Sequence, residues 1–155
     1  MRVVLQRVRA SRVLVDGEVV GEIGQGINLL VGIEEGDTIA EVEWMARKCL
    51  ELRVFPDPAK PNSGFELSVA DIGGGVLAVS QFTLAGDCRK GRRPSFDRAA
   101  RPELGRELFD RFVALLTESG LVVQTGRFGA HMDVRIDNDG PVTLLLQRRA
   151  EPPSP

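Results

Sequence analysis

The stretch from Gly75 to Leu84 reads Gly-Val-Leu-Ala-Val-Ser-Gln-Phe-Thr-Leu, and in it an apolar run passes directly into hydrogen-bonding side chains. The apolar half shows no polar alternation, which is typical of a strand covered on both faces. Glycines at 73, 74 and 75 indicate a turn before this strand. Its polar end would hold hydroxyl, amide and backbone N–H groups at the rim of a core, as a preorganised catalytic site requires. A strand end that simply meets water is the alternative.

Length and charge limit the possible classes of protein. The 155 residues fit one domain, and a domain of this size removes roughly 70% of its unfolded surface from water. The formal net charge of −2 excludes a polycation that binds nucleic acid by bulk attraction. The segment 86–101 nevertheless carries six basic and two acidic residues, while 34–43 carries five acidic residues and no basic one. This asymmetry predicts a face that binds an anion, although a solvated run of charge is an equal alternative.

Cysteine, histidine and hydropathy favour a cytoplasmic protein without a multi-histidine metal site, and we expect no cofactor. Cys49 and Cys88 lack CxxC spacing, and the N-terminus does not resemble a secretory signal. No apolar run approaches the ~18 residues that a membrane span requires. His131 is the only histidine, which excludes a multi-histidine metal site.

The remaining pattern predicts a protein with both strands and helices. Thr38-Ile39-Ala40-Glu41 has the spacing of a capping box and predicts a helix over 38–53, with Cys49 on its apolar face. Pro102 suits the first turn of a second helix that ends before Gly120. Asp16-Gly17 predicts a hairpin turn into the strand 18–23, so the start of the chain looks like a meander, and a further turn at 24–26 leads into a central strand. The predicted strands are 3–8, 12–15, 18–23, 27–33, 121–125, 132–136 and 141–146, besides the central apolar run.

A second unusual motif is Asn138-Asp139-Gly140-Pro141-Val142-Thr143, which places a Gly-Pro bond between a predicted turn at 138–140 and the last strand. Such a bond can be cis at little cost. A cis bond would point neighbouring carbonyl oxygens in nearly the same direction, and two such oxygens can accept hydrogen bonds from an ammonium group. An ordinary turn is the alternative.

These motifs together resemble the D-aminoacyl-tRNA deacylase family, and the resemblance runs from Met1 to about Leu146. The matching pieces are Gln6-Arg7-Val8, Val15-Asp16-Gly17-Glu18, Val79-Ser80-Gln81-Phe82-Thr83-Leu84, Arg89-Lys90-Gly91-Arg92-Arg93-Pro94-Ser95-Phe96, Thr125-Gly126-Arg127-Phe128-Gly129-Ala130 and Asn138-Asp139-Gly140-Pro141-Val142-Thr143. The resemblance implies an α+β fold in which an antiparallel or mixed sheet forms a barrel-like structure with two main helices. It also implies a homodimer with active sites at the subunit interface.

The implied reaction is hydrolysis of the ester that joins a D-amino acid, or glycine, to the terminal adenosine of tRNA. The resemblance makes 1–147 one deacylase domain, and we expect 148–155 to be a disordered tail. It assigns two roles to a cis Gly140–Pro141 element that the partner subunit supplies. These roles are binding of the substrate's α-ammonium group and rejection of L side chains. The implied catalytic residues are Ser80, Gln81, Phe82 and Thr83; the implied substrate-binding residues are Gly140, Pro141, Asn138, Thr143 and Arg7; the implied tRNA-binding residues are Arg89, Lys90, Arg92 and Arg93.

Two questions stay open at this point. Thr83 is either a nucleophile or a positioning group, and positioning is favoured because the sequence offers no dedicated base nearby. The rival functions are a tRNA-binding module without turnover and an editing hydrolase that acts on mischarged L-aminoacyl-tRNA.

Overall fold

A computed structural model describes residues 1–60 and 62–149. Within these residues the chain forms six strands, two α-helices and one short 3-10 helix. The strands are β1 (Arg2–Val15), β2 (Glu18–Ile23), β3 (Gly26–Gly32), β4 (Gly75–Ser80), β5 (Val123–Thr125) and β6 (Asp133–Gln147). The helices are α1 (Ile39–Glu51), the 3-10 helix Phe82–Ala85 and α2 (Pro102–Thr117).

The strands form a single mixed sheet that is nearly closed as a barrel. Their order is β2-β1-β3-β4-β5. β3 pairs with the first half of the long strand β1 and β2 with its second half, while β6 pairs with β1 along most of its length, on the edge that β2 and β3 leave open. The pairs β3–β4 and β4–β5 are parallel, whereas β1 is antiparallel to β2, β3 and β6. The two outer strands β2 and β5 approach each other so closely that a Cβ on Gly21 would lie 2.3 Å from the Thr125 carbonyl oxygen. The predicted α+β fold with a mixed, barrel-like sheet and two main helices is confirmed.

The central strand β4 has the environment that its sequence predicts. It lies between two parallel neighbours, and Val76, Leu77, Ala78 and Val79 are all buried. Side chains on alternating sides of the strand enter two separate apolar clusters. Val76 and Ala78 join the larger cluster, which includes α1 and α2, while Leu77 and Val79 join Val8, Val13 and Ile23 in a smaller one. Continuous apolarity along β4 therefore reflects burial on both faces.

Several predicted boundaries are wrong because isolated turn residues do not interrupt long strands here. The predicted strands 3–8 and 12–15 are one strand, β1, and the turn predicted at 138–140 lies inside β6. The predicted hairpin at Asp16-Gly17 is confirmed, since β1 and β2 pair antiparallel on either side of it, but the chain does not continue as a meander, because β3 pairs with β1 and not with β2. The predicted strands 132–136 and 141–146 are likewise one strand, β6, and β5 covers only 123–125 of the predicted 121–125.

Both ends of the described chain meet at the sheet. The Met1 ammonium donates to the Arg148 carbonyl oxygen at 2.8 Å, and the Arg148 N–H donates to the Met1 carbonyl oxygen at 3.0 Å. Residues 150–155 of the predicted disordered tail lie outside the described residues. In the part of the chain that the structure covers, no helix is long and apolar enough to cross a membrane.

Helix α1 begins with the predicted capping box. The Thr38 Oγ1 atom accepts from the Ala40 N–H at 3.2 Å, and the Glu41 carboxylate accepts from the Thr38 N–H at 2.9 Å. Burial of Glu41 would raise the pKa of its carboxyl, but the hydrogen bonds from Thr38 outweigh this effect and lower the pKa. On the buried face of this helix, burial raises the pKa of Cys49 to about 12.

We expect iodoacetamide to alkylate Cys88 and not Cys49 in the folded protein at pH 8. Cys88 is exposed, whereas Cys49 is buried and its raised pKa keeps the thiol protonated far above that pH. Mass spectrometry should find one adduct in native protein and two in denaturant, and Cys88→Ser should leave none in native protein. Alkylation of native Cys49 would contradict the burial.

Candidate active site

The polar end of β4 turns into the 3-10 helix directly against β3. The Gln81 N–H donates to the Val31 carbonyl oxygen at 2.7 Å, which extends the pairing of the two strands by one residue. Gly32 then permits the close approach of this helix, because a Cβ there would lie 2.8 Å from Leu84 Cβ and 3.1 Å from the Gln81 carbonyl oxygen. The structure therefore presents Gln81, Phe82 and Thr83 from a rigid backbone.

The side chains of this segment point polar groups outward. The Gln81 Nε2 atom donates to Thr83 Oγ1 at 2.5 Å, so the hydroxyl proton of Thr83 is free to point to a substrate. Among the described residues, no carboxylate or imidazole is hydrogen-bonded to this hydroxyl. Phe82 is 59% exposed, and its ring packs edge to face on Phe96 with centroids 5.2 Å apart. Ser80 is half-buried at the last position of β4.

The Gly140–Pro141 peptide bond is cis and lies within β6. It falls where the register between β1 and β6 shifts, since Gln6 pairs with Thr143 while Val8 pairs with Asn138. Residues 139–142 therefore lie opposite Arg7 alone, and a proline without an N–H is tolerated at such an irregularity. Both Gly140 and Pro141 are exposed.

Arg7 holds this element from β1. Its Nε atom donates to the Asp139 carbonyl oxygen at 3.1 Å and lies 3.2 Å from the Asp139 carboxylate. Its Nη1 atom donates to the Val54 carbonyl oxygen at 2.7 Å. Arg7 is largely buried, so its planar guanidinium fixes the backbone on both sides of it.

The other two predicted substrate-binding residues flank the Gly-Pro bond. Thr143 is exposed, and its hydroxyl accepts a long hydrogen bond of 3.4 Å from Gln6 Nε2. Asn138 is half-buried, and its Oδ1 atom has no hydrogen-bond donor among residues 1–60 and 62–149.

Strand register separates the Ser-Gln-Phe-Thr segment from the Gly-Pro element within one chain. Arg7, opposite Gly140, pairs with Ile27 in β3, and Ile27 pairs with Val76 at the start of β4. Ser80 lies four residues farther along β4, a distance of roughly 13 Å at 3.3 Å per residue. The three strand spacings from β6 to β4 add a lateral offset of about 14 Å along the sheet. One chain alone does not bring the two motifs together.

The basic loop, residues 86–101, follows the 3-10 helix. Backbone hydrogen bonds between Asp87 and Ser95 close it, at 2.8 and 3.0 Å. Arg89 forms a bidentate ion pair with Asp87, and hydrogen bonds from Arg89 hold the pKa of the Asp87 carboxyl well below its usual range. Lys90, Arg92 and Arg93 are exposed and have no ion-pair partner among the described residues. Three of the four predicted tRNA-binding cations are thus free to meet an anion.

Sequence reasoning missed a charged cluster behind this site. Arg2, Glu34 and Arg98 come together although the sequence separates them, and Arg2 donates to the carbonyl oxygen of Leu84 at 2.9 Å. The sequence gives one sign of this cluster, which is that the charged residue Glu34 follows closely after the buried strand β3. No group of three or more potential metal ligands of the His, Cys, Asp or Glu type occurs in the described ranges.

Comparison with known proteins supports the resemblance over the whole fold. The family described as D-Tyr-tRNA(Tyr) deacylase matches residues 4–147. A D-aminoacyl-tRNA deacylase from Cyanothece sp. is 67% identical over 97% of this chain and 94% of its own length. One from Trichodesmium erythraeum is 61% identical over 97% of this chain and 98% of its own length.

Two solved structures share the fold. A structure described as c-Myc DNA Unwinding Element Binding Protein has a TM-score of 0.90 and 41% identity, and the match covers 97% of this chain and all of that one. A probable eukaryotic D-amino acid tRNA deacylase has a TM-score of 0.82 over 94% of this chain and 97% of its own, and at 21% identity it shows the fold alone. With a family match across nearly its whole length and relatives above 60% identity, the chain belongs to the D-aminoacyl-tRNA deacylase family.

Proposed function

We infer that this protein is a hydrolase that cleaves the ester between a D-amino acid and the terminal adenosine of tRNA. The observation that carries this inference is the family membership, in which relatives named D-aminoacyl-tRNA deacylase match nearly the whole chain. Glycyl-tRNA is a further proposed substrate, because glycine has no side chain that could be rejected. Charged tRNA is the proposed partner and the cytoplasm the proposed site of action.

The proposed chemistry uses backbone and water without a covalent intermediate. Phe82 begins the 3-10 helix, and an N–H at a helix start has no acceptor inside the helix. We assign this N–H to the ester carbonyl oxygen, where it would stabilise the oxyanion that forms when water attacks. The ester C–O bond then breaks, and free amino acid and the ribose hydroxyl of the tRNA are released. The tRNA 2′-hydroxyl would assist the attacking water.

Thr83 has a positioning role in this scheme. Its hydroxyl accepts from Gln81, so the hydroxyl proton can be donated to the substrate or to the attacking water. Activation of a threonine as a nucleophile would require a base in hydrogen-bond reach, and the described residues place none there. Ser80, at the end of β4, would support the same pocket from the strand.

We further propose that two chains complete each site. The separation of Ser80 from Gly140 along the register supports this, because one chain alone leaves each motif without the other. In a homodimer, Gly140–Pro141 of one chain would enter the Ser-Gln-Phe-Thr site of the other. Its carbonyl oxygens would accept from the α-ammonium, and its backbone would exclude an L side chain by steric clash. Rejection by clash requires no specific contact with the D side chain, so the range of D substrates should be broad.

In the proposed complex, the basic loop contacts phosphates of the tRNA. Changing Arg92 and Arg93 together to Ala should weaken tRNA binding and reduce the slope of log K against log salt by roughly one to two units. Binding is measured over a series of salt concentrations. Arg111→Ala changes a half-buried arginine on α2, outside the basic loop; it is the control and should leave the slope unchanged. An unchanged slope in the double variant would remove the loop from the interface.

The decisive experiment compares D- and L-aminoacyl esters on the same tRNA. Release of free amino acid from the D ester and not from the L ester is the expected result. Binding of both esters without release would favour a tRNA-binding module, and release from a mischarged L ester would favour an editing hydrolase.

A further inference from the structure

We propose that Glu34 is a positioning residue that fixes the 3-10 helix Phe82–Ala85 relative to the basic loop through Arg2 and Arg98. The proposal rests on the deacylase function inferred above and adds to it a link between the binding of tRNA and the geometry of the catalytic helix.

Glu34 lies just after β3, and only 5% of its surface is exposed. Its Oε1 atom lies 3.2 Å from Arg2 Nη2 and 3.0 Å from Arg98 Nη2, so one oxygen forms ion pairs, without hydrogen-bond geometry, with two guanidinium groups. The Oε2 atom lies 3.5 Å from the Met1 ammonium. The Glu34 N–H donates to the Asp37 carboxylate at 2.7 Å, which fixes the backbone from which this side chain extends. A buried carboxylate is expensive unless it is paired, so loss of either arginine changes the energy of the other pair.

Arg2 carries the connection to the catalytic helix. Its Nη1 atom donates to the Leu84 carbonyl oxygen at 2.9 Å, while its Nη2 atom faces Glu34. Because the guanidinium is planar and rigid, Glu34 and Leu84 are held in one fixed relation. Leu84 directly follows Thr83, so a displacement here would reach the proposed site, where a shift of about 1 Å can cost on the order of 100-fold in rate.

Arg98 carries the connection to the basic loop. Besides its ion pair with Glu34, its carbonyl oxygen accepts from the Glu35 N–H at 2.9 Å. The Ala100 N–H donates to the Ile33 carbonyl oxygen at 3.1 Å, so the end of this loop is bound to the segment that carries Glu34. The Glu34 carboxylate is therefore connected both to the basic loop and, through Arg2, to the 3-10 helix. Binding of a tRNA phosphate by Lys90, Arg92 or Arg93 would act on the helix through this connection. Remote binding energy can be used in this way to orient reacting groups.

The test is a double-mutant cycle of Arg2→Met and Arg98→Met, with kcat and KM measured on D-aminoacyl-tRNA. We expect each single variant to lower kcat about tenfold, and the double variant to lower it by little more than about tenfold, because both changes break one link. KM should change less than twofold in Arg2→Met, since Arg2 does not face the loop. Arg2→Lys, which keeps the charge beside Glu34, should recover part of the lost kcat.

Glu43→Gln is the matched control, because this carboxylate lies on the exposed side of α1 and pairs only loosely with Arg111 at 3.9 Å. It should leave kcat unchanged. Unchanged kcat in both arginine variants, or a fully multiplicative loss in the double variant, would overturn the positioning role. Absence of turnover by the unmodified protein would instead contradict the deacylase function itself. Thermal unfolding of each variant verifies that the compared proteins are folded.

Discussion

Replacing Gly140 with alanine should lower kcat/KM for a D-aminoacyl-tRNA by about 100-fold while the protein stays folded. The backbone φ of Gly140 is +125°, a conformation that L residues rarely adopt. An added Cβ would lie 3.0 Å from the Val142 nitrogen and 3.2 Å from Arg7 Nη2. The backbone of β6 must move to relieve both contacts, and it is this backbone that we propose to hold the α-ammonium.

Gly17→Ala is the control for this change. Gly17 also has a positive φ, +82°, but an added Cβ would meet nothing within 4 Å. Its expected cost is about 1 kcal/mol of stability, with no change in kinetics. Rates are measured on D and L esters in parallel for both variants. Full activity of Gly140→Ala on the D ester would show that the position of this backbone does not matter for the reaction.

Mixing two variants with defective sites should restore about a quarter of the activity of the unmodified protein. One variant is Gly140→Ala and the other is Thr83→Ala. If subunits exchange freely, about half of the dimers are mixed, and in each of these one of the two sites combines an unaltered Thr83 with an unaltered Gly140. Recovery to about a quarter is a large effect, because each parent dimer carries a defect in every site.

This experiment separates a site shared between chains from a site within one chain. If Gly140 acted in its own chain, every site in the mixture would carry one defect and activity would not rise above that of the parents. Subunit exchange is verified by mass spectrometry of differently tagged chains.

Acid quench of the Gly140→Ala and unmodified proteins during turnover should yield no aminoacyl ester on Thr83, and detection of one would make Thr83 a nucleophile.

The sequence determined the central strand, the helix starts and the family. Val76 to Val79 predicted a strand buried on both faces because no polar residue interrupts them, and this is confirmed. The capping box at Thr38 predicted the start of α1, since its two hydrogen bonds join residues no more than three apart. The motif residues, from Ser80 to Thr83 and from Asn138 to Thr143, identified the family before any geometry was known.

Only the tertiary structure decided which turn residues are turns and which distant charges meet. Gly140–Pro141 was predicted to follow a turn, yet it lies inside β6, because pairing with β1 on both sides of it outweighs a local preference. The sheet order placed β3 beside β1, which no local pattern of the first strands specified. Ion pairs join Arg2, Glu34 and Arg98 behind the helix that carries Thr83. These residues are far apart in the sequence, so no local pattern of residues indicates that they meet.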